Sequence, residues 1–448
     1  MIRSLILKIQ RKREEAHGFR NLLLHTSFAL MLTSGLSYTA GLLRDKVFAY
    51  RFGASGELDV YNASFAVPDL FLAVFVTGAL LAAFVPIFTE LDEKSRKRAV
   101  QYANQILSFG VVALAISGLI FAICLPLLAD FLVPGFSGEQ KEQYILLTRL
   151  MLLSPILFTI SNTFGSMLIS IRGFLWYGLA PVMYNLGIIF GAVVLVPEFG
   201  LLGLSLGTLL GVFLHMMVRF IPARRYGFRF NLNFNVDENF KLTLRLMLPK
   251  IFQLAMWQIL LIWFVRLASN LPEGSVTIYS FARNFQSVPV SLIGIAIALV
   301  AFSELSRVSG QREFWRIVKE KSFRILLATG LAALGLAVFS KVIIGFFLGG
   351  GAFTQEAVNL TAAMLVIYCF SVPLESLMHL LARAHYALKD TLRPSVIHVA
   401  TIGLTIGLSA WLVDSIGIFA IPVSFGIGLL VQVGLLVVSL GMGHRVSR

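Results

Sequence analysis

Twelve apolar segments, each long enough to cross a lipid bilayer as a helix, dominate this sequence of 448 residues. A transmembrane helix needs about 20 mainly apolar residues, and the polar stretches between the segments are short. The pattern predicts an all-α polytopic membrane protein with about twelve transmembrane helices. The predicted spans are approximately 22–52, 58–88, 104–129, 145–171, 175–196, 200–221, 243–270, 275–303, 322–348, 354–386, 395–413 and 416–441.

The composition agrees with this class. Hydrophobic residues make up 57% of the chain and charged residues 13%, and the mean hydropathy is +0.84. A soluble protein of this length could not bury so much apolar surface. The net charge of +14 could suggest nucleic acid as a partner. The Lys and Arg residues lie in short loops, however, where they set topology and contact anionic membrane lipids, so we expect no nucleic-acid partner.

Loops rich in Lys and Arg alternate with loops that hold mostly acids. Basic residues precede the first span and follow each even-numbered span, whereas acids such as Asp130, Glu198 and Asp414 lie on the opposite side. Because cytoplasmic loops are enriched in Lys and Arg, both termini are predicted to be cytoplasmic, in the cytoplasmic (inner) membrane. Residues 1–20 are predicted to form a basic amphipathic helix on the inner leaflet, with a solvated basic tail as the alternative.

Weak internal similarity suggests that the chain has two halves. Tyr61 is followed 23 residues later by Phe84, and Tyr279 stands in the same relation to Phe302, within similar segments. Such repeats are typical of transporters with a site between two lobes, although chance similarity between hydrophobic helices is the alternative. The predicted parts are the segment 1–20, a six-helix lobe 21–225, a cytoplasmic linker 226–242 and a second six-helix lobe 243–448, with a central cavity between the lobes.

No pattern in the chain indicates catalysis or a bound cofactor. The phosphate-binding motif GxxxxGK[ST] and the zinc-binding motif HExxH are absent, and no catalytic arrangement of carboxylates or of Ser, His and Asp stands out. Cys124 and Cys369 lie inside predicted spans without partners at metal or redox spacing. We therefore expect no enzyme activity, no cofactor and no metal site.

Charged residues inside the predicted spans are the candidates for function, because a charge at membrane depth is costly. Arg44 lies nine residues before Gly53, the first helix breaker after it, and Arg283 lies nine residues after Gly274. At about 1.5 Å per residue, each arginine is about 14 Å from the outer end of its helix. Arg266 is about 9 Å from the outer surface by the same measure.

These arginines are suited to a phosphorylated cargo. A planar guanidinium donates two hydrogen bonds at once, which matches a diphosphate. Asp45, Asp59 and Asp69 can balance the arginines when no ligand is bound. The alternatives are that Arg44 and Asp45 form an ordinary loop pair, that Arg283 reaches towards the membrane surface, and that Asp59 caps a helix.

Three charged residues are candidates for a gate: Asp69, Glu375 and Arg383. Glu375 and Arg383 lie eight residues apart on the tenth span, about two helical turns. They are expected either to close an inner gate in one state or to form a purely structural ion pair.

The sequence resembles the MurJ (MviN) family of lipid II flippases, within the multidrug/oligosaccharidyl-lipid/polysaccharide exporter superfamily. The resemblance runs from about Gly41 to Val396 in the family's order. The segments that carry it are GLLRDKVFAYRFGASGELDVYNASFAVPDLF, GALLAAFVPIFTEL, FLVPGFSGEQ, LTRLMLLSPILF, LAPVMYNLGIIFGAVVL, EFGLLGLSLGTLLG, LRLMLPKIF, GGGAFTQEAV and LARAHYALKDTLRPSVI.

The resemblance implies an alternating-access flippase that moves lipid II, an undecaprenyl-diphosphate-linked sugar, from the inner to the outer leaflet. It also implies that Arg44 and Asp45 are the family's cavity Arg-Asp pair and that Asp59 is its acid on the second span. An A-D-R stretch of the family reads Ala282-Arg283-Asn284 here, which adds Asn284 to the substrate-binding candidates. Partners in cell-wall synthesis would follow from the same resemblance.

The chain departs from the family in its number of spans and in its charges. The family usually has fourteen spans, and charged family positions fall here on Tyr38, Leu72, Ala73 and Thr77. Two alternatives to lipid II transport therefore stay open. One is an exporter of another lipid-linked oligosaccharide or amphiphile, and the other is a non-transporting membrane scaffold derived from a flippase.

Overall fold

The computed structural model describes residues 26–75, 79–308 and 310–446. Over these residues the protein is all-α, with no β-strand. The α-helices, numbered in chain order, are α1 Thr26–Phe52, α2 Gly56–Ala63, α3 Ala66–Phe75, α4 Ala79–Lys94, α5 Arg96–Leu132, α6 Gly138–Met151, α7 Leu153–Ser170, α8 Phe174–Phe190, α9 Val196–Phe199, α10 Leu201–Tyr226, α11 Glu238–Ser269, α12 Ser275–Pro289, α13 Ala296–Leu305, α14 Gln311–Val338, α15 Ser340–Phe347, α16 Gln355–Cys369, α17 Ser371–Ala387, α18 Leu392–Ile416 and α19 Ala420–Val446.

Each of the twelve predicted spans is mainly helical over its described residues. Eight helices of the described ranges are long and apolar enough to cross a membrane, or nine if the bent pair α16 and α17 counts as one span. One of the eight, Leu392–Gly441, contains both of the last two predicted spans. The first two predicted spans are not among these helices. Helix α1 mixes Ser, Thr and Gly with its apolar residues, and the second span is divided into α2, α3 and α4. The protein is a polytopic all-α membrane protein.

Two spans contain a π-helical turn instead of a continuous α-helix. Gly191–Leu195 separates α8 from α9, and Val290–Ile295 separates α12 from α13 directly after Pro289. Proline removes a backbone donor and disturbs the helical hydrogen bonds around it.

The described residues group into two compact units. Unit 1 comprises residues 26–47, 67–75, 79–125 and 146–252, and unit 2 comprises 48–66, 126–145, 253–308 and 310–446. Two short stretches from the N-terminal half of the sequence thus belong to unit 2. The division into lobes at a linker of 226–242 stays a prediction.

Glycines and aromatic rings organise the interior of unit 1. A Cβ atom added to Gly187 of α8 would lie 2.2 Å from the Cα of Gly211 in α10, and one added to Gly191 would lie 2.5 Å from the Cα of Gly207. The two backbones are therefore in direct contact. Near the end of α10, buried aromatic residues form a core; they are Phe84, Phe88, Tyr102, Phe164, Phe228 and Phe240.

Two sequence predictions concern residues outside the described ranges. They are the amphipathic helix predicted for 1–20 and the departure from the family at Thr77.

Candidate functional site

Arg44 and Asp45 form an ion pair inside the first span. Helix α1 continues unbroken to Phe52, and Gly53 then adopts a positive φ of 67°. Arg44 therefore lies eight residues, about 12 Å, inside the end of the helix. Its Nε and Nη2 donate to Oδ1 of Asp45 at 3.0 and 2.7 Å. The pair belongs to a continuous helix and not to a loop.

The two members of this pair differ in exposure. The side chain of Arg44 is 24% exposed and that of Asp45 is 6% exposed. Arg44 and Asp69 both lie near Tyr184, on α8. Asp69 itself is exposed on α3. Unit 1 thus gathers a cation, two acids and a tyrosine, and the exposed part of Arg44 can receive an anion.

Asp59 caps a helix that is far away in sequence. Its Oδ2 accepts from the backbone N–H of Gly274, and its Oδ1 from that of Thr277, both at 2.7 Å. These amides belong to the N-terminus of α12, where backbone donors have no helical partner and a negative charge is favourable. The expectation that Asp59 balances an arginine is therefore not met in this structure. The alternative of a helix cap is met, but the capped helix is not its own.

Further contacts of unit 2 lie beside this cap. Asn62 Nδ2 donates to Thr277 Oγ1 at 3.3 Å, and Gln140 Nε2 donates to Glu273 Oε1 at 3.1 Å. The N–H of Ala352 donates to the carbonyl of Tyr50 at 2.8 Å. We call this set the clasp; its residues are Tyr50, Asp59, Asn62, Gln140, Glu273, Gly274, Thr277 and Ala352.

Arg266 lies against aromatic rings. Its guanidinium carbon is 4.5 Å from the ring centre of Phe131 and 5.8 Å from that of Trp263. Its buried Nη1 has no hydrogen-bond partner among the described residues. Stacking on an aromatic face stabilises a guanidinium, and no carboxylate of the described part of the chain forms an ion pair with Arg266.

Arg283 and Glu375 form a two-pronged ion pair between α12 and α17. Nη1 of Arg283 lies 3.0 Å from Oε2 of Glu375, and Nη2 lies 3.0 Å from Oε1. Gln286 contacts both partners: its Oε1 accepts from Arg283, and its Nε2 donates to Oε2 of Glu375 at 2.9 Å. The same Nε2 also lies 3.1 Å from Oγ of Ser371. Arg283 does not reach towards the membrane surface, because these groups hold it in the interior.

Aromatic rings complete the surroundings of this pair. The guanidinium carbon of Arg283 is 4.9 Å from the ring centre of Phe425 and 5.7 Å from that of Trp257. The neighbouring Asn284 is exposed. Gln286, Phe425 and Trp257 were not predicted, although Gln286 lies one turn from Arg283 on the same helix.

Glu375 and Arg383 do not form an ion pair with each other in this structure, and their role as a gate in another state stays a prediction. Nη1 of Arg383 instead donates to the carbonyl of His379 at 3.0 Å. Eight residues along one helix separate side chains by about 12 Å, whereas Arg283 approaches Glu375 directly from a neighbouring helix.

A buried arginine of unit 1 was also missed, since Arg219 looks like part of a basic loop in the sequence. It is 3% exposed within α10. Nη1 donates to Oδ1 of Asn162 at 2.8 Å, Nη2 donates to the carbonyl of Tyr177 at 3.1 Å, and the guanidinium lies 4.5 Å from the Tyr177 ring centre. These contacts join α7, α8 and α10.

The described residues contain no group of three or more His, Cys, Asp and Glu side chains that could hold a metal ion. What the charged groups can do is bind an anion through guanidinium, exchange ion pairs and cap helices.

Comparison with known proteins identifies the chain's relatives. The sequence model of the family described as "Lipid II flippase MurJ" matches residues 48–446. The chain is 25% identical over 412 residues to the "Probable lipid II flippase MurJ" of Borreliella burgdorferi, covering 91% of this chain and 81% of the relative. It is 24% identical over 430 residues to the "Lipid II flippase MurJ" of Burkholderia cenocepacia, covering 92% and 81%.

Solved structures share the fold. A structure titled "Lipid II flippase MurJ, inward closed conformation" matches with a TM-score of 0.79 and 23% identity, covering 93% of this chain and 87% of that one. An inward-facing multidrug resistance MATE family transporter of the MOP superfamily matches with a TM-score of 0.73 and 16% identity, covering 92% and 94%. These likenesses establish a common architecture.

Proposed function

The chain belongs to the lipid II flippase MurJ family, and from that premise we propose that it carries lipid II across the inner membrane by alternating access. In such a cycle the protein alternates between conformations, and the cargo shifts their populations only if it binds one conformation more tightly than the other. The proposal also places both termini in the cytoplasm. Anionic lipids would surround the basic loops, and proteins of cell-wall synthesis are candidate partners.

The observation that carries the proposal is the position of Arg44. A guanidinium that lies about 12 Å inside a span, with a quarter of its side chain exposed, retains its charge where an anionic cargo must pass. Its fork suits the diphosphate of the cargo. Asp45 holds Arg44 in the absence of cargo, and the diphosphate then competes with Asp45 for the same N–H groups.

Arg283 has a different task in this proposal. Both oxygens of Glu375 already accept from it, so an anion that approached Arg283 would have to displace a buried carboxylate. We assign Arg283 and Glu375 to an ion pair that opens only when the cargo is present. Arg266 and Asn284 then make additional polar contacts with the cargo.

The clasp is the proposed outer gate. It consists of one helix cap, one backbone hydrogen bond and two hydrogen bonds between side chains, each of which stabilises by roughly 1 kcal/mol. Contacts of this size can be broken and re-formed in each cycle, whereas a large apolar seam could not.

Arg44 variants test the assignment of the site. The native flippase is depleted in a bacterium that expresses this chain, and rescue of growth and translocation of labelled lipid II are measured. Arg44→Ala should abolish both, and Arg44→Lys should retain part of the activity because it keeps the charge but loses the fork. Arg316→Ala is the matched control, since Arg316 also pairs with an acid but its side chain is 72% exposed.

The outcomes separate the function from the site. If the unmodified chain neither rescues growth nor moves lipid II, the proposed cargo is wrong, and translocation of other labelled diphosphate-linked lipids is then measured in the same bacterium. If the unmodified chain is active and Arg44→Ala is equally active, the function stands and the assignment of Arg44 fails.

A further inference from the structure

The segment between α10 and α11 is fastened to the protein at both ends. Residues 228–237 have no regular secondary structure. Phe228 is 1% exposed and its ring lies 5.0 Å from that of Phe164, in an edge-to-face arrangement. At the other end Phe240 is 6% exposed, and its ring lies 4.4 Å from that of Phe109. We call residues 229–237 the strap.

Side chains of α5 bind the backbone of the strap. Asn104 accepts from the N–H of Asn231 at 3.0 Å and donates to the carbonyl of Arg229 at 2.9 Å. Oγ of Ser108 accepts from the N–H of Asn233 at 3.1 Å. Backbone polar groups need such partners wherever water is scarce. The backbone of the strap is therefore held in a defined position along α5.

Every second residue of the strap is a large apolar side chain that lies open. The exposed fractions are 62% for Phe230, 62% for Leu232, 48% for Phe234 and 57% for Val236. Covering such side chains is favourable, because it removes apolar surface from water. Together these four side chains form an apolar edge, and an exposed apolar patch of this kind marks contact with a membrane or a partner.

The position of this edge along α5 indicates lipid as the partner. The rings of Phe234 and Phe109 are 5.4 Å apart in an edge-to-face contact. One turn further along α5, about 5 Å, Val112 is 38% exposed, and one turn beyond it Ile116 is 56% exposed. Both side chains belong to a helix that is long and apolar enough to cross a membrane, and exposed apolar side chains of such a helix are expected to face lipid. The apolar edge is thus continuous with the lipid-facing surface of α5 at its basic end.

The charges around the strap fit an anionic lipid surface. Exposed Arg224, Arg225 and Arg229 precede the apolar edge. The acids that follow are already engaged: Asp237 accepts from the N–H of Phe240 at 2.9 Å, and Glu238 lies 2.8 Å from Nζ of Lys241. Basic residues near a membrane surface are attracted to it when the lipids are anionic.

We propose that the strap is an interfacial membrane anchor. Phe230, Leu232, Phe234 and Val236 lie at the boundary of headgroups and acyl chains, on the side of the membrane that carries the basic loops, and the arginines contact anionic headgroups. An amphipathic segment with this division of apolar and basic residues binds such an interface. This proposal is independent of the cargo, because it depends only on α5 crossing the membrane.

Fluorescence quenching tests the proposal in the full-length chain. Cys124 and Cys369 are replaced by Ala, Leu232→Cys is labelled with an environment-sensitive fluorophore, and the protein is placed in phosphatidylcholine and phosphatidylglycerol vesicles. We expect emission at shorter wavelength and strong quenching by a lipid nitroxide near the headgroup. Glu313→Cys is the control and should show neither, because Glu313 lies in the first turn of α14 and its side chain is 55% exposed. Phe230→Cys repeats the test at a second position.

Two results would overturn parts of the proposal. If the labels at 232 and 230 are quenched no more than the label at 313, the strap is exposed to water, and a protein partner must cover the apolar edge. If quenching is equally strong in vesicles of phosphatidylcholine alone, the edge inserts without help from the arginines, and the role of anionic lipid is refuted.

Discussion

Arg283 and Glu375 lie 92 positions apart in the sequence, and two N–H···O contacts of 3.0 Å join them in the interior of unit 2. Removing one partner leaves the other charge buried without compensation, which costs about 3–5 kcal/mol. We expect Glu375→Gln and Arg283→Met each to lower the thermal unfolding midpoint of the purified protein strongly. The double variant should recover much of the loss, because it leaves no orphan charge.

Arg316→Met is the control for this cycle, since its ion pair with Glu313 is solvent-exposed and contributes little. A double variant that is as unstable as the sum of the two single variants would contradict the coupling.

Asp59→Ala should open the clasp. The substitution removes the acceptor of the Gly274 and Thr277 amides, and loss of a capping side chain costs about 0.5–2 kcal/mol. The measurement is the rate at which a membrane-impermeant maleimide labels Thr277→Cys, which replaces a residue that is 0% exposed. We expect faster labelling in the Asp59→Ala background and an intermediate rate with Asp59→Asn, which keeps an acceptor oxygen. Equal rates in all three backgrounds would mean that the cap does not hold the clasp.

Gly53→Ala should disturb the clasp for a steric reason. The φ of Gly53 is 67°, and an added Cβ would lie 2.3 Å from the carbonyl oxygen of Ala352, which is next to the clasp contact with Tyr50. Gly200→Ala is a matched control, because its φ of 56° is also positive but nothing lies within 4 Å of the added atom. Both variants should lose roughly 1–3 kcal/mol, because each places a side chain on a backbone with positive φ. Only Gly53→Ala should also raise the labelling of Thr277→Cys.

Gly165→Ala and Arg219→Ala should be coupled. A Cβ on Gly165 would lie 2.9 Å from Nη1 of Arg219, which is also bonded to Asn162. The added methyl group must therefore displace a buried guanidinium, and loss of its hydrogen bonds costs about 1–3 kcal/mol. In an Arg219→Ala background the same change should be neutral or stabilising, because Ala is the better helix former. Denaturation midpoints of the two single variants and the double variant measure this coupling, and additive losses would refute it.

The fold could be predicted from local features of the sequence. Apolar segments of sufficient length locate the helices, and Gly53 ends α1 at the expected place because only glycine adopts a positive φ without strain. The same reasoning placed Arg44 correctly inside its helix.

The partners of the charged residues could not be predicted in this way. Asp59 binds an amide 218 positions away, and Arg283 pairs with a carboxylate on another helix. Arg219 looks like a loop residue because nothing near it in sequence reveals Asn162 and Tyr177 as its partners. Such contacts depend on how helices pack, and a single sequence does not encode helix packing in a local pattern.

The direct backbone contact between α8 and α10 restricts how unit 1 can deform. No side chain separates Gly187 from Gly211, or Gly191 from Gly207. The two helices therefore pack backbone against backbone, without flexible groups between them. Because their backbones are in contact, we expect the two helices to move together as one rigid pair. Any bending of unit 1 during a transport cycle must then occur in other helices of the unit. A single methyl group added at one of these glycines would force the two helices apart.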